Sequence, residues 1–308
     1  MGWMGASRLL NRVTRLGATI ALAQNLSPHD YGLAAIVLTT NEFVKVFTRN
    51  GIGARLVQCE ESRLEALCDS AFSLNWLLFI GLFLGQCLVS FPIAQTYNDT
   101  ALILPICCIA STLLFMPFGM VNAALLQREG RLKRRAIIDT CQVTTENVSS
   151  MVFALMGFGM WSIVLPRIIV SPFWIVMMLA SHPWRPKLKV NRKHWGELTN
   201  FGRYVLGVEL LNTLRSNLDY LIVGKFLSVE ALGVYYFAFN AGIGLSLGLV
   251  QSVKTAILPH LCEVRSTLDV FKARYFKSLR TIAMVFLPIV LLQSCLAPFY
   301  VPLVFGAK

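Results

Sequence analysis

The sequence predicts an all-α, polytopic membrane protein, and three observations carry that prediction. Of the 308 residues, 56% are hydrophobic and 14% charged, with a mean hydropathy of +0.61, whereas roughly a quarter of a soluble domain is charged. Charge is also absent from four long stretches: between Asp69 and Asp99, Asp99 and Arg128, Glu230 and Lys254, and Arg280 and Lys308. Each can supply the about 20 apolar residues that cross a bilayer as a helix. One such stretch could be a buried core helix; four could not. Finally, Lys and Arg crowd into alternate loops such as "REGRLKRR" (128–135) and "RPKLKVNRK" (185–193), while the intervening "QNLSPHD", "PIAQTYND" and "GFGM" hold none. That alternation is the positive-inside pattern, which puts the N-terminus and the basic loops in the cytoplasm.

Nine spans are expected in order. The first, 3–23, carries Arg8, Arg12 and Arg15 at i, i+4, i+7, and ends at the turn "NLSPHD". The second, 31–47, carries Glu42 and Lys45 on one stripe with Arg49 beyond. The third and fourth, 72–91 and 101–126, fill two of the charge-free gaps. The fifth, 137–158, holds Asp139, Gln142 and Glu146, and the glycines of "GFGM" separate it from the sixth, 163–180, with Arg167. After the polar "SHPWRPKLKVNRKHW" comes the seventh, 198–223, bearing Glu209, Asn212, Arg215 and Asp219. The eighth and ninth, 231–258 and 282–296, fill the remaining gaps, and "FYVPLVFGAK" is expected to be a turn holding at most the start of a tenth. Prolines inside spans are no objection, because transmembrane helices tolerate them.

Other chemistries find little support. The eight cysteines show no C-x-x-C spacing and sit mostly in apolar runs, where a thiol behaves as a small hydrophobe. The four histidines form no ligand cluster, so no metal, cofactor or catalytic group is expected. The net charge of +12 serves topology and anionic lipid headgroups, so no nucleic-acid partner is expected. An enzyme such as a membrane glycan polymerase or ligase would carry a large outer loop with paired catalytic residues; the longest loop of that kind, "FPIAQTYND", holds the single acid Asp99.

A repeat organises the chain. "NLSPHDYG" (25–32) returns 201 residues later as "FLSVEALG" (226–233), and Leu10-Asn11 returns at the same offset as Leu211-Asn212. Six spans separate the copies, so both have the same orientation. Parallel repeats of this kind build a transporter from two similar bundles with the substrate path between them. The expected layout is a six-helix first lobe at 1–180, a basic cytoplasmic linker at 181–196, and a second lobe of about three helices at 197–308. A second lobe as long as the first would run well past Lys308, so the chain reads as a fragment, a truncated product, or one completed by a partner.

An ionisable residue at mid-bilayer costs about 2.5–3.5 kcal/mol on insertion scales and usually faces a cavity. Arg12, Arg15, Arg215, Lys45, Asn11 and Asn212 are therefore candidates to line a path for a large, hydrated anion, since guanidinium groups grip phosphate oxygens bidentately. Asp139, Glu146 and Asp219 are candidates either to carry a coupling ion or to serve as structural partners of the arginines. The bland alternative is that Glu42 with Lys45, and Arg215 with Asp219, neutralise one another along their helices, while Arg8 and Arg49 snorkel to the interface.

The phrases "LNTLRSNLDYLIVGKFLSVEALGVYYFAFNAG", "LSPHDYGLAAIVLTTNEFVKVFTRNGIGARLVQ" and "APFYVPLVFG" resemble the seventh-helix signature, opening helix pair and post-ninth-helix turn of Wzx-type polysaccharide flippases. These form the oligosaccharide branch of the multidrug/oligosaccharidyl-lipid/polysaccharide exporter superfamily. The resemblance implies flipping of undecaprenyl-pyrophosphate-linked oligosaccharide units between leaflets of the bacterial inner membrane, by alternating access of two six-helix lobes. It also implies a cationic central cavity, which falls on Arg12, Arg15 and Arg215, and a polysaccharide polymerase and chain-length proteins as further partners. A drug or peptidoglycan-precursor exporter of the same superfamily differs only in cavity chemistry. A non-transporting remnant is the remaining alternative.

Overall fold

The computed structural model describes residues 2–49, 52–186, 195–240 and 268–305, and every regular element among them is helical. They are α1 (Gly2–Asn25), α2 (Pro28–Val46), α3 (Ile52–Gln58), α4 (Leu64–Tyr97), α5 (Ile103–Arg128), α6 (Leu132–Leu155), α7 (Trp161–Ser181), α8 (Trp195–Phe226), α9 (described over 229–240) and α10 (Leu268–Phe305). The chain forms two units, Met1–Tyr236 and Phe237–Lys308. Linker residues 187–194 and residues 241–258 of the eighth expected span lie outside the described residues.

Two expectations need correction. The short helix α3 was not anticipated, because its seven residues are too few for a periodic signal. The C-terminal "FYVPLVFGAK" is helical through Phe305 as the end of α10, with Pro298 and Pro302 absorbed as membrane helices absorb them. Helix α10 also begins at Leu268, well before its apolar run, since hydropathy marks only the part of a helix that suits lipid.

Four segments among the described residues are long and apolar enough to cross a bilayer: Glu61–Tyr97, Thr100–Arg128, Trp161–Ser181 and Phe271–Leu296. Their surfaces expose Leu84, Leu88 and Phe91 on α4, Phe115 on α5, and Phe173 and Val176 on α7. Water would not tolerate so much contiguous apolar surface, and a polytopic membrane protein accounts for it. Helices α1, α2, α6 and α8 fall short of that apolar character because they carry the charges.

Within the first unit α1 packs chiefly on α6, α6 and α5 on α7, and α4 on α5. Helix α2 is buried on every side from Tyr31 to Thr39 and contacts α4, α5, α7 and α8. The low-charge turns meet at one end of this unit. Asp30 at the start of α2 accepts a hydrogen bond from the Met160 N–H in the α6–α7 turn at 3.3 Å. The Asp30 carboxylate fills the space beside Gly159, where a Cβ would stand 2.9 Å from Asp30 Oδ1; that crowding and the φ of +54° both favour glycine.

At the other end the basic loops meet over a hydrophobic cluster of Leu56, Leu67, Phe72, Leu125 and Leu198, flanked by Trp76, Phe118, Trp184 and Trp195. There the Arg128 guanidinium donates to the carbonyls of Leu56 (3.0 Å), Val57 (3.2 Å) and Cys59 (2.5 Å) and pairs with Glu61 at 3.0 Å. It thereby satisfies the orphan carbonyls at the end of α3, which a helix C-terminus otherwise leaves open. Basic loops gathered at one end and neutral turns at the other agree with the alternating topology read from the charges.

Candidate functional site

The charged side chains of the first unit converge where α1, α2, α6, α7 and α9 approach. On α1, one face is committed to α6: Thr144 Oγ1 donates to Asn11 Oδ1 at 3.1 Å, and Asn147 Nδ2 donates to Thr14 Oγ1 at 3.3 Å. Ala18 and Ala21 continue that face and are buried, small enough for close helix approach. Arg12 and Arg15 project from the adjacent face and are exposed. The side chains of Arg8 and Arg49 lie outside the described residues.

Across from α1, the Arg167 Nε of α7 donates to Glu146 Oε1 of α6 at 2.8 Å. Glu42 of α2 and Tyr236 of α9 stand within electrostatic reach of the same guanidinium. Arg15 and Glu42 are likewise within reach of the Tyr236 hydroxyl. Lys45 pairs with Glu42 one turn along α2 at 3.3 Å. Tyr236 thus has Arg15, Arg167 and Glu42 about it, and Glu146 and Lys45 join the cluster through their pairs with Arg167 and Glu42.

The other candidates lie apart from this cluster or are already engaged. Asp139 accepts from Trp174 Nε1 at 3.2 Å and faces Arg135 at 3.8 Å. Asp219 accepts from the Tyr235 hydroxyl at 2.9 Å, and both Tyr235 and Tyr236 pack their rings on Tyr220. Arg215 and Asn212 are exposed on α8. Among the described residues Arg12, Arg15 and Arg215 form no ion pair, whereas Glu42, Glu146, Asp139 and Asp219 each have a polar partner. The positive charge is in excess. No group of histidine, cysteine and carboxylate side chains suited to a metal ion occurs among the described residues.

Tyr236 and the Arg167–Glu146 pair were not among the expected site residues. Arg167 and Glu146 are each conspicuous in apolar surroundings, yet their pairing joins two helices and leaves no local spacing to read. Tyr236 gave no signal, since tyrosine is common at membrane depth and beside interfaces. A recess of about 440 Å³ between α2, α4 and α8, lined among others by Thr39, Phe43, Gly85, Gln86 and Leu221, holds no charged group and offers nothing to an anion.

Comparisons with known proteins place the chain among proteins of polysaccharide biosynthesis. The chain is similar to the lipopolysaccharide biosynthesis protein WzxC of Escherichia coli, 22% identical over 290 residues, 93% of this chain and 58% of that protein. It is similar to the teichuronic acid biosynthesis protein TuaB of Bacillus subtilis, 22% identical over 275 residues, 86% of this chain and 55% of that one. The succinoglycan biosynthesis transport protein ExoT of Rhizobium meliloti is 22% identical over 237 residues, 76% of this chain and 47% of that one. The chain therefore spans roughly half to three fifths of the length of these relatives. No solved structure matches it. The family model described as polysaccharide biosynthesis protein matches residues 21–308, and the chain belongs to that family.

Proposed function

We propose that this chain belongs to a transporter that moves a lipid-linked oligosaccharide, carried on a polyprenyl pyrophosphate, from the inner to the outer leaflet of a bacterial cytoplasmic membrane. The observation that carries this reading is the imbalance of charge. The carboxylates on the polar helices are partnered, while Arg12, Arg15 and Arg215 have no carboxylate partner among the described residues. An unneutralised guanidinium within the depth of a bilayer is costly; a pyrophosphate that visits it and leaves again supplies the missing counter-charge without fixing it. The relatives support the reading through their names, which concern polysaccharide biosynthesis and, for ExoT, transport. Nothing among them names an enzyme of glycan polymerisation.

In this reading α1 to α7 are the first lobe, and α8 to α10 belong to a second lobe of similar build. Asn11 and Glu146 hold the lining helices in place, through Thr144 and Arg167 respectively. Of the three acids considered as coupling groups, Glu146 is the one in the cluster with Arg167 and Glu42, while Asp139 partners Trp174 and Arg135 and Asp219 partners Tyr235.

The test is single replacement of Arg12, Arg15 and Arg215 by Ala in the full-length native chain. Each is expected to lower translocation of a fluorescent polyprenyl-pyrophosphate-linked sugar in proteoliposomes about tenfold, while the protein still inserts into the membrane. Wild-type transport in all three would sink the cationic path.

A further inference from the structure

The repeated phrase becomes a contact in three dimensions. Ser27 and Ser228 occupy the same position in the two copies and do the same work: their Oγ atoms accept from the backbone N–H of Asp30 and of Ala231, each at 3.1 Å. The glycines closing the phrase, Gly32 and Gly233, then meet the opposite copy. A Cβ on Gly32 would collide with the Val229 carbonyl oxygen, and a Cβ on Gly233 with the Pro28 carbonyl oxygen. Pro28 and Val229 are themselves equivalent positions, 201 residues apart. Each copy therefore offers its glycine to the other copy's first helical turn. That reciprocity is the mark of a two-fold contact, here formed inside one chain.

His29 and Glu230, again equivalent, face each other beside this crossing, with Nδ1 3.1 Å from Oε1. His29 Nε2 also stands 3.4 Å from Asp99 Oδ2, in the α4–α5 turn. Nearby, Gly224 lies where a Cβ would stand 3.1 Å from the Tyr97 ring and 2.9 Å from Leu232, so the ends of α8 and α4 are drawn together as well.

We propose that this glycine crossing, pinned by His29 and Glu230, is the closing contact of the transport path at the low-charge end. The inference rests on the transporter reading above. Backbone against backbone leaves no passage, so the path is shut wherever the two copies touch. The seam is also separable. The polar tie across it is exposed, 46% for His29 and 59% for Glu230, and water screens exposed pairs so that they hold only weakly. The first copy is meanwhile anchored to the α6–α7 turn through Asp30 and Met160. A weak seam beside an anchored element is the arrangement a gate requires, and glycine at both crossing points is what lets it close fully.

The test uses the full-length native chain with its own cysteines replaced, carrying His29→Cys and Glu230→Cys, with Arg15→Cys as a reporter. Oxidation should bridge positions 29 and 230, and a reductant should release them. In sealed vesicles, bridging is expected to cut labelling of position 15 by a membrane-impermeant maleimide from the low-charge side at least tenfold, and reduction should restore it. Unchanged labelling on bridging would overturn the gate. With Arg15 intact, the bridged pair should likewise stop the fluorescent lipid-linked sugar, and reductant should restart it. Transport undiminished by the bridge would overturn the gate too. If the unbridged protein moves no sugar while labelling still responds to the bridge, the transporter reading fails and the closing contact stands.

Discussion

In the first copy of the repeated phrase, Asp30 completes a capping box with Ser27 and also holds the Met160 N–H, while Leu26 is buried at 3% exposure. In the second copy the equivalent of Asp30 is Ala231, and the equivalent of Leu26 is Leu227, 70% exposed. Cap and glycine are shared; the anchorage is not. The first copy is tied to its surroundings through Asp30 and a buried Leu26; the second lacks both ties, although its Leu232 is buried, and meets the first where Gly32 crosses Gly233. The shared residues serve the contact between copies, and the differing ones serve each copy's own neighbourhood.

The sharpest way to break that comparison is to enlarge the glycines. Gly32→Leu and Gly233→Leu each drive a side chain into a backbone carbonyl, which cannot yield as a flexible side chain does. Each is expected to cost about 3 kcal/mol, the upper end of overpacking penalties, seen as a lowered thermal midpoint of the detergent-solubilised protein. The two losses should be similar. A large loss at one glycine and none at the other would show that the crossing is not two-sided.

A smaller effect distinguishes the copies. Asp30→Ala removes the reciprocal half of a capping box and the tie to Met160, for an expected loss of about 1–2 kcal/mol. Ala231→Asp supplies the second copy with the acid it lacks, and should stabilise it by about 0.5 kcal/mol through the helix dipole. Equal and opposite shifts in the midpoint would mean that Met160 contributes nothing to the difference.

The all-helical, membrane-spanning character was legible because lipid imposes strong rules. Charge-free stretches marked α4, α5 and α10, and alternating basic loops marked which ends lie together. The repeat was visible as letters, and its same-way orientation followed from counting spans. What it did was not visible: nothing local says that Gly32 touches Val229 rather than its own neighbours. The site was legible in kind and not in detail. Arg12 and Arg15 stand out as charges on an apolar background, but Asn11 looked like a lining residue, and the structure has it bonded to Thr144 across helices. Glu42, Glu146, Arg167 and Tyr236 meet from four helices, and only packing brings such residues together. Helix α3 was missed for want of length, and the full reach of α10 because hydropathy ends where the lipid does.

The least effect is expected at Glu230, where it can be separated by pH. Its own backbone N–H at the helix start, the Ser228 hydroxyl and His29 hold its carboxyl below the ordinary carboxylate range. A group whose folded pKa is depressed contributes stability above its unfolded value and loses it as pH falls through the folded one. Glu230→Gln should therefore lower the thermal midpoint slightly wherever the carboxylate is charged. The difference from the parent should shrink only below about pH 4, the range in which carboxylates titrate. The equivalent position in the other copy is His29, which has no such carboxylate to lose, so a deficit at pH 3 equal to that at pH 7 would remove the charge of Glu230 from the contact and leave the two glycines to hold it.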